Sequence, residues 1–182
     1  MPSGTRLYSV ADVRAMPDDF NRYETIAGEL FVTPAPSLRH QIVLGRLHVV
    51  LSQYVEHHDL GWVFYAPTDV VFGPYTLVEP DLLFVPRHAR HLMTEQEITG
   101  APDLVIEALS PSTARVDRGK KRALYRDQGV REYWIVDATA NQVEVWRAAA
   151  TSPELVHDTL TWRPREDVAP LTIALPHIFR PI

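Results

Sequence analysis

Two acidic residues and one lysine stand where they could carry out chemistry together. Asp81 directly precedes the apolar run 82–85, and Glu107 interrupts the apolar run 104–109. Lys121 follows within a basic segment. Carboxylates that come together at neighbouring strand ends can hold a hard divalent cation, and a lysine beside them can stabilise an oxyanion or steady a nucleophile. These residues are the minimum needed for metal-assisted cleavage of a phosphodiester bond.

The expected metal follows from the ligand types. Bringing the carboxylates of Asp81 and Glu107 together raises the pKa of one of them unless a cation neutralises the pair. All the donors are oxygen atoms and the chain has no cysteine, so we expect Mg²⁺, with Mn²⁺ as a substitute. A buried Glu107 could instead be satisfied by an arginine or a backbone group, because an unpartnered buried carboxylate is costly.

Asp103 competes with Asp81 because both follow a proline. Asp103 lies four positions before Glu107, on the same face of the strand but at its far end. At the rise of a β-strand the two are roughly 13 Å apart, too far to share one ion. We therefore predict a structural role for Asp103. Pro-Asp pairs also serve simply as turns before strands, so a structural role for Asp81 stays open.

The segment that follows the second strand is strongly basic. Residues 112–131 carry seven Lys/Arg against two acidic residues, although the whole chain has a net charge of −5. On a helix, Arg115, Arg118, Lys120 and Arg122 would be placed to contact DNA phosphates. The alternative is a solvated helix face with no ligand.

Lys121 has two interpretations of its own. It lies one helical turn after Asp117, so the two could form a surface ion pair that contributes little. Alternatively, Lys121 points back over the strand end that carries Glu107, with Tyr125 on the same face and Lys120 turned toward solvent. The second interpretation makes Lys121 part of the site.

The composition is that of one soluble globular domain spanning residues 1–182. The absence of cysteine excludes disulfides, thiolate nucleophiles and cysteine-ligated metal sites. No apolar run is long enough for a signal core or a membrane span, so we expect a cytoplasmic protein without a membrane partner.

The elements that must position these residues alternate between strands and helices. Ser9 and Ser37 are typical helix N-caps, and Gly129 is a typical C-terminal cap. The predicted elements are a short helix at 9–17, a hairpin at 22–33, a long helix from Ser37 to about His57, strands at 62–66, 68–72, 81–85 and 103–109, a polar stretch with helical character at 87–98, a helix from Ala114 to Gln128, and strands at 131–136 and 142–147. The apolar residues of the long helix cover more than one stripe, which predicts a largely buried helix. Its histidines, His40 and His48, are interpreted as packing or capping residues.

An ordered set of motifs resembles the Uma2 family, whose members are described as restriction-endonuclease-like. The set is Arg22-Tyr23-Glu24-x-Ile26-x-Gly28-Glu29-Leu30, Pro80-Asp81-Leu82-Leu83-Phe84-Val85, the run from Ala101 to Thr113, Asp117-Arg118-Gly119-x-Lys121, Tyr125, and Gly129-Val130-x-Glu132-Tyr133-Trp134-Ile135-Val136-Asp137. The resemblance spans about residues 9–180. It implies an α/β protein of the PD-(D/E)XK nuclease fold, with a central mixed β-sheet flanked by helices and an N-terminal β-hairpin.

The resemblance also implies residue roles. The two metal-binding acids of the superfamily map to Asp81 and Glu107, and an upstream glutamate that commonly completes the acidic site maps to Glu24. The usual lysine two positions after the second acid is absent, because Leu109 stands there. In this family the lysine comes from the following helix, where Lys121 matches it. The hairpin turn also departs from the family pattern, because its aspartate is replaced by Ala27.

Two functional hypotheses remain open. In the first, the protein is a Mg²⁺-dependent DNA endonuclease whose candidate catalytic residues are Glu24, Asp81, Glu107 and Lys121. In the second, it is a catalytically weak protein of nuclease fold that binds DNA or a protein partner, with a homodimer as one such assembly. The intact acids and lysine favour the first, whereas the acidic net charge favours the second.

Overall fold

The computed structural model describes residues 6–181 and contains three β-sheets with five α-helical segments around them. The helices are α1 (Val10–Arg14), α2 (Leu38–His57), α3 (Ala114–Val116), α4 (Arg122–Asp127) and α5 (Leu175–Phe179). The strands are β1 (Arg22–Ile26), β2 (Glu29–Thr33), β3 (Gly61–Tyr65), β4 (Asp69–Gly73), β5 (Thr76–Val78), β6 (Leu82–Pro86), β7 (Glu97–Thr99), β8 (Leu104–Ala108), β9 (Glu132–Asp137), β10 (Gln142–Arg147), β11 (Glu154–Val156), β12 (Thr159–Trp162) and β13 (Leu171–Ala174).

The central sheet has six strands in the order β11-β10-β9-β8-β6-β3. It is mixed, because β8 and β9 run parallel while β6 pairs antiparallel with β8. Its middle strands are apolar on both faces. Phe84 and Ile106 pack toward α2 and α5, whereas Val85 and Val105 pack on the opposite side. The predicted central mixed sheet is confirmed.

A second sheet, which the sequence analysis did not anticipate, covers the other face of the central sheet. Its order is β2-β1-β5-β4-β7, and it contains the predicted hairpin β1–β2. The helical prediction for residues 87–98 is half right. A 3₁₀-helix spans Arg87–Leu92, but Glu97–Thr99 forms β7 and pairs parallel with β4.

Helix α2 begins and ends as predicted, with the Ser37 hydroxyl accepting the backbone N–H of His40. Its expected burial was wrong. A single stripe at four-residue spacing is buried, and Leu38 and Val49 on other faces are exposed. The reason is that α2 packs on the sheet with one face only. The buried stripe consists of Val43, Leu47, Leu51 and Val55.

The predicted helix at 114–128 is present but irregular inside. Segment α3 leads into a π-helical turn, Asp117–Lys121, and α4 follows directly. Gly129 ends the helix with φ of 86°. The π turn holds one residue more than an α-helical turn, and Asp117 and Lys121, at its two ends, both face the interior. None of the helices within residues 6–181 combines the length and the apolar character that a membrane crossing requires.

Candidate active site

Three of the predicted site residues meet in the interior between the two sheets. The Lys121 ammonium lies 2.8 Å from a Glu24 carboxylate oxygen and 2.8 Å from a Glu107 oxygen. All three side chains are only 2% exposed. Tyr125, one turn further along the helix, donates its hydroxyl to Glu107 at 2.9 Å. The predicted orientation of Lys121 and Tyr125 toward the strand end is confirmed, and a surface ion pair for Lys121 is excluded.

Asp81 lies beside this group at the start of β6. One of its oxygens accepts from Arg22 at 2.9 Å, and the other accepts the backbone N–H of Ala108 at 2.8 Å. His40, from the first turn of α2, places Nε2 3.2 Å from Asp81 and 3.1 Å from the Ala108 carbonyl oxygen. Asp81 is therefore tied to the strand that carries Glu107.

Strand register explains why Asp81 and Glu107 are neighbours and Asp103 is not. In the antiparallel pair β6–β8, Leu82 lies opposite Ile106, so Asp81 falls at the Glu107 end of β8. Asp103 lies at the other end, where its carboxylate pairs with Arg131 at 3.0 Å. The geometric choice between the two Pro-Asp pairs agrees with this arrangement.

One protein-family model matches most of this chain. The model of the Uma2 family, described as "Putative restriction endonuclease", matches residues 10–176. The chain belongs to the Uma2 family. A comparison with curated proteins found no match.

The solved structures include a similar fold. A crystal structure described as "a putative nuclease belonging to DUF820" from Anabaena variabilis ATCC 29413 superposes with a TM-score of 0.76 at 19% sequence identity. The match covers 94% of this Uma2 chain and 97% of the other. At this identity the match shows the fold, which is the restriction-endonuclease-like α/β fold.

In this Uma2 protein the pKa values of the two central acids, Asp81 and Glu107, are shifted in opposite directions. Burial alone would raise the pKa of Asp81, but the hydrogen bond from His40 and the charge of Arg22 outweigh it and lower that pKa. Burial raises the pKa of Glu107, and the nearby carboxylates of Asp81 and Asp117 add to the rise while Lys121 opposes it. Asp81 is thus the more persistent anion of the pair.

Carboxyl groups are in excess over basic groups around the site. Lys121 keeps a raised pKa, because Glu107 and Glu24 more than offset the effect of burial. Burial also raises the pKa of Asp117, and it raises that of Glu79 to about 7. Carboxyl groups outnumber the basic partners Arg22 and Lys121 by three; they are Glu24, Glu79, Asp81, Glu107 and Asp117.

This charge balance bears on the predicted metal. Within residues 6–181, no three His, Cys, Asp or Glu side chains are grouped so that they could hold a metal ion together. The predicted ligands Glu24, Asp81 and Glu107 are engaged by Lys121 and Arg22 instead. The donor set still suits a hard divalent cation, because it consists of oxygen atoms and contains more carboxyl groups than basic groups. A cation would have to compete with the two basic side chains.

The four predicted DNA-contacting residues lie on the outer face of the helix, away from the carboxylates. Arg118 pairs with Glu144 at 2.6 Å, and Lys120 pairs with Glu29. The Arg122 guanidinium lies 4.4 Å from the centre of the Trp146 ring. Arg115 is exposed. Intramolecular partners therefore neutralise or cover three of the four side chains.

His40 is the site residue that sequence reasoning missed. It was interpreted as a packing or capping residue, but its imidazole contacts Asp81, and its Nδ1 is buried without a hydrogen-bond partner. A usable signal existed in its spacing. His40 falls on the same stripe of α2 as Val43 and Leu47, so a histidine there must be buried and in need of a polar partner.

Proposed function

We propose that this Uma2 protein is a metal-dependent DNA endonuclease that hydrolyses phosphodiester bonds. The observation that carries the proposal is the convergence of Glu24, Asp81 and Glu107, from three different segments, around Lys121 and Arg22. Membership of a family described as "Putative restriction endonuclease" supports the same reaction class.

Each side chain has a distinct task in this proposal. Asp81 and Glu107 would hold Mg²⁺ or Mn²⁺, with Glu24 as a further ligand. The bound cation would polarise the scissile phosphate and lower the pKa of a water molecule. Lys121 uses two of its three N–H groups to fix Glu24 and Glu107, so the third can donate to the attacking water or to a phosphate oxygen.

Residues around the acidic side chains also have roles in this proposal. Arg22 and His40 fix the Asp81 carboxylate from two sides, and the Ala108 N–H holds the same carboxylate against β8. A carboxylate held in this way stays ionised and needs little reorganisation when a ligand arrives. On the helix, the exposed Arg115 would contribute attraction for phosphate, whereas Arg118, Lys120 and Arg122 would first have to leave their intramolecular partners.

The test is cleavage of plasmid DNA with Mg²⁺, with Mn²⁺ and with EDTA. Asp81→Asn and Glu107→Gln keep the side-chain shape, and each should reduce the rate by at least about a hundredfold. Asp103→Asn is the matched control, because Asp103 also follows a proline but lies at the opposite end of β8. Its rate should stay near that of the wild type.

Thermal unfolding supplies a readout that does not depend on activity. Mn²⁺ at a hundred times its dissociation constant should stabilise the wild type by about 2.7 kcal/mol. The increase should disappear in Asp81→Asn and persist in Asp103→Asn. An equal increase in both variants would place the metal elsewhere.

The ion pairs favour a second candidate, in which the protein binds DNA or a protein partner and cleaves poorly. Lys121 and Arg22 already neutralise part of the acidic set. This candidate would be favoured if the protein binds DNA but shows no metal-dependent cleavage of the plasmid.

A further inference from the structure

Two grooves meet at Asp81, the one of the four proposed catalytic residues that lines them. One has a volume of about 660 Å³ and the other about 390 Å³. Four residues line both of them: Pro36, His40, Ala66 and Asp81. The grooves therefore share one wall, next to Asp81 at the start of β6. A chain-like ligand that lies along both grooves would therefore pass over Asp81.

The larger groove, here called the Phe20 groove, has an aromatic side chain that is almost fully exposed to solvent. Phe20 is 90% exposed, and its φ of 66° lies in the left-handed region, which bulky residues rarely adopt. A large apolar side chain held in solvent by a strained backbone is unfavourable in the free protein. Backbone strain of this kind concentrates at ligand-binding positions.

The smaller groove, here the Tyr65 groove, has an exposed aromatic side chain as well. Tyr65 is 62% exposed, and the His48 ring packs edge-on against it at 4.9 Å between ring centres. His48 thereby supports one side of the tyrosine ring. Each groove thus presents one aromatic surface to a ligand.

The grooves offer few free cations for phosphate contacts, so aromatic stacking is the stronger contribution that their lining can make. Among the described residues that line the Phe20 groove, the Lys and Arg side chains are Arg22 and Arg39, and the Tyr65 groove has neither type. Arg22 is bound to Asp81, and Arg39 donates to the carbonyl oxygens of Phe179 and Arg180. Duplex binding depends on rows of cations along both phosphate backbones. Unpaired bases can also stack on aromatic rings, which contributes about 1–3 kcal/mol per base, whereas the bases of a paired duplex are not free to do so.

We propose that the two grooves bind an unpaired segment of DNA across the carboxylate site, with one base stacked on Phe20 and another on Tyr65. This inference rests on the proposed function and adds the substrate class to it. Single strands, overhangs and unpaired junctions carry such segments, whereas a fully paired duplex does not.

The experiment measures the fluorescence anisotropy of a labelled oligonucleotide, either single-stranded or annealed to its complement, with the full chain in EDTA. The single strand should bind more tightly than the duplex. Phe20→Leu keeps an apolar side chain but removes the ring, and it should raise the dissociation constant for the single strand by roughly 5- to 150-fold. Phe20→Trp should restore the affinity, and Tyr65→Leu should weaken it as Phe20→Leu does.

Tyr75→Leu is the matched control, because Tyr75 is a half-exposed aromatic residue that lines neither groove. Its affinity should match the wild type. Tighter binding of the duplex, or unchanged affinity in Phe20→Leu, would overturn the inference. If the groove were instead a contact between two copies of the chain, Phe20→Leu would change the sedimentation coefficient and leave DNA affinity unchanged, which would also overturn it.

Cleavage of the same two oligonucleotides with Mn²⁺ separates this inference from the proposed function. Cleavage of the duplex at a rate that Phe20→Leu does not alter would refute stacking while preserving the nuclease assignment. Tight single-strand binding that depends on Phe20, without cleavage under any metal, would refute the nuclease assignment and preserve the stacking.

Discussion

Lys121 is held between two carboxylates in the interior of the protein, and this position changes what its substitution should do. Removing the ammonium leaves Glu24 and Glu107 buried without their cation. Breaking a buried pair from one side commonly costs about 3–5 kcal/mol. Lys121→Met keeps the side-chain length and isolates the charge, so we expect it to lower the free energy of unfolding by that amount in urea titrations.

Lys120 provides the matched control for this prediction. It has the same charge one position earlier, but its side chain is half exposed and pairs with Glu29 at the surface. Lys120→Met should change the free energy of unfolding by less than about 0.5 kcal/mol. Adding Glu107→Gln to Lys121→Met should recover part of the loss. Equal losses in the two single variants would contradict the buried ion pair.

His40 should act by positioning Asp81. Its Nε2 contacts the Asp81 carboxylate, so His40→Ala should weaken Mn²⁺ binding, measured by calorimetry, by roughly 10- to 100-fold. His40→Gln can donate a similar hydrogen bond and should recover most of that affinity. His88→Ala, at an exposed histidine outside the two grooves that meet at Asp81, should have no effect. Failure of glutamine to rescue would assign His40 a packing role only.

Some residues of the site could be identified from the sequence alone, and others could not. Glu107 could be found because a carboxylate that interrupts an apolar strand is unusual, and Asp81 could be found because its place at the end of another apolar strand lets it meet Glu107. The place of Glu24 followed only from the family resemblance, since a glutamate in a hairpin strand is ordinary. The partners of Arg118 and Lys120 could not be foreseen, because Glu144 and Glu29 are distant in sequence.

At the scale of elements, the π-helical turn carries one residue more than an α-helical turn between Asp117 and Lys121. Deleting Gly119 would restore an α-helical turn and place Lys121 three residues after Asp117, where the two side chains still share one side of the helix. We therefore expect the deletion to lower the free energy of unfolding in urea titrations by less than the roughly 3–5 kcal/mol expected for Lys121→Met, since the buried pair can be kept.

Substitution at the same position is the control. A Cβ atom added at Gly119 would meet nothing within 4 Å, and its backbone does not require glycine. Gly119→Ala should therefore raise the free energy of unfolding by about 0.5–1 kcal/mol, because alanine favours a helix. A loss on deletion as large as that of Lys121→Met would show that the π turn itself is needed to direct Lys121.

Element limits were predictable where a cap marks them. Ser9 and Ser37 start α1 and α2 with side-chain hydrogen bonds, and Gly129 ends α4. The π turn could not be predicted, because its apolar spacing does not differ from that of an α-helix over one turn. Strands β5 and β7 were missed because three residues are too few to show a period of two.

At the scale of the whole molecule, the layering depends on contacts between distant segments. The central sheet was expected from its apolar strands and from the family resemblance. The second sheet was not, since its order joins strands that are far apart in sequence, such as β1 with β5 and β4 with β7. This sheet buries Glu24 and closes the acidic cluster over the central sheet. The cost of enclosing so many carboxyl groups is therefore a property of the whole fold.

That cost predicts how stability depends on pH. Burial, with Asp69 and Glu24 nearby, raises the pKa of Glu79 to about 7 from an ordinary value of 4.5. The folded protein thus binds this proton more tightly than the unfolded chain does. Stability from this group is fully present below pH 4.5 and is lost as pH rises through about 7.

Urea unfolding at a series of pH values tests this prediction. Between about pH 5 and 8, the free energy of unfolding should fall by about 1–2 kcal/mol, a value reduced from the full linkage because solvent reaches part of the Glu79 side chain. Glu79→Gln cannot ionise and should make this part of the curve less steep, leaving the fall that the raised pKa of Glu107 contributes, while the backbone N–H at position 79 still donates to Glu24. Mn²⁺ should also flatten the wild-type curve, because a cation at the site offsets the charge that appears as pH rises. A wild-type curve that rises over this range would show that the carboxyl groups are stabilised as anions by Arg22 and Lys121 alone, and that the enclosed site has no excess charge for a cation to neutralise.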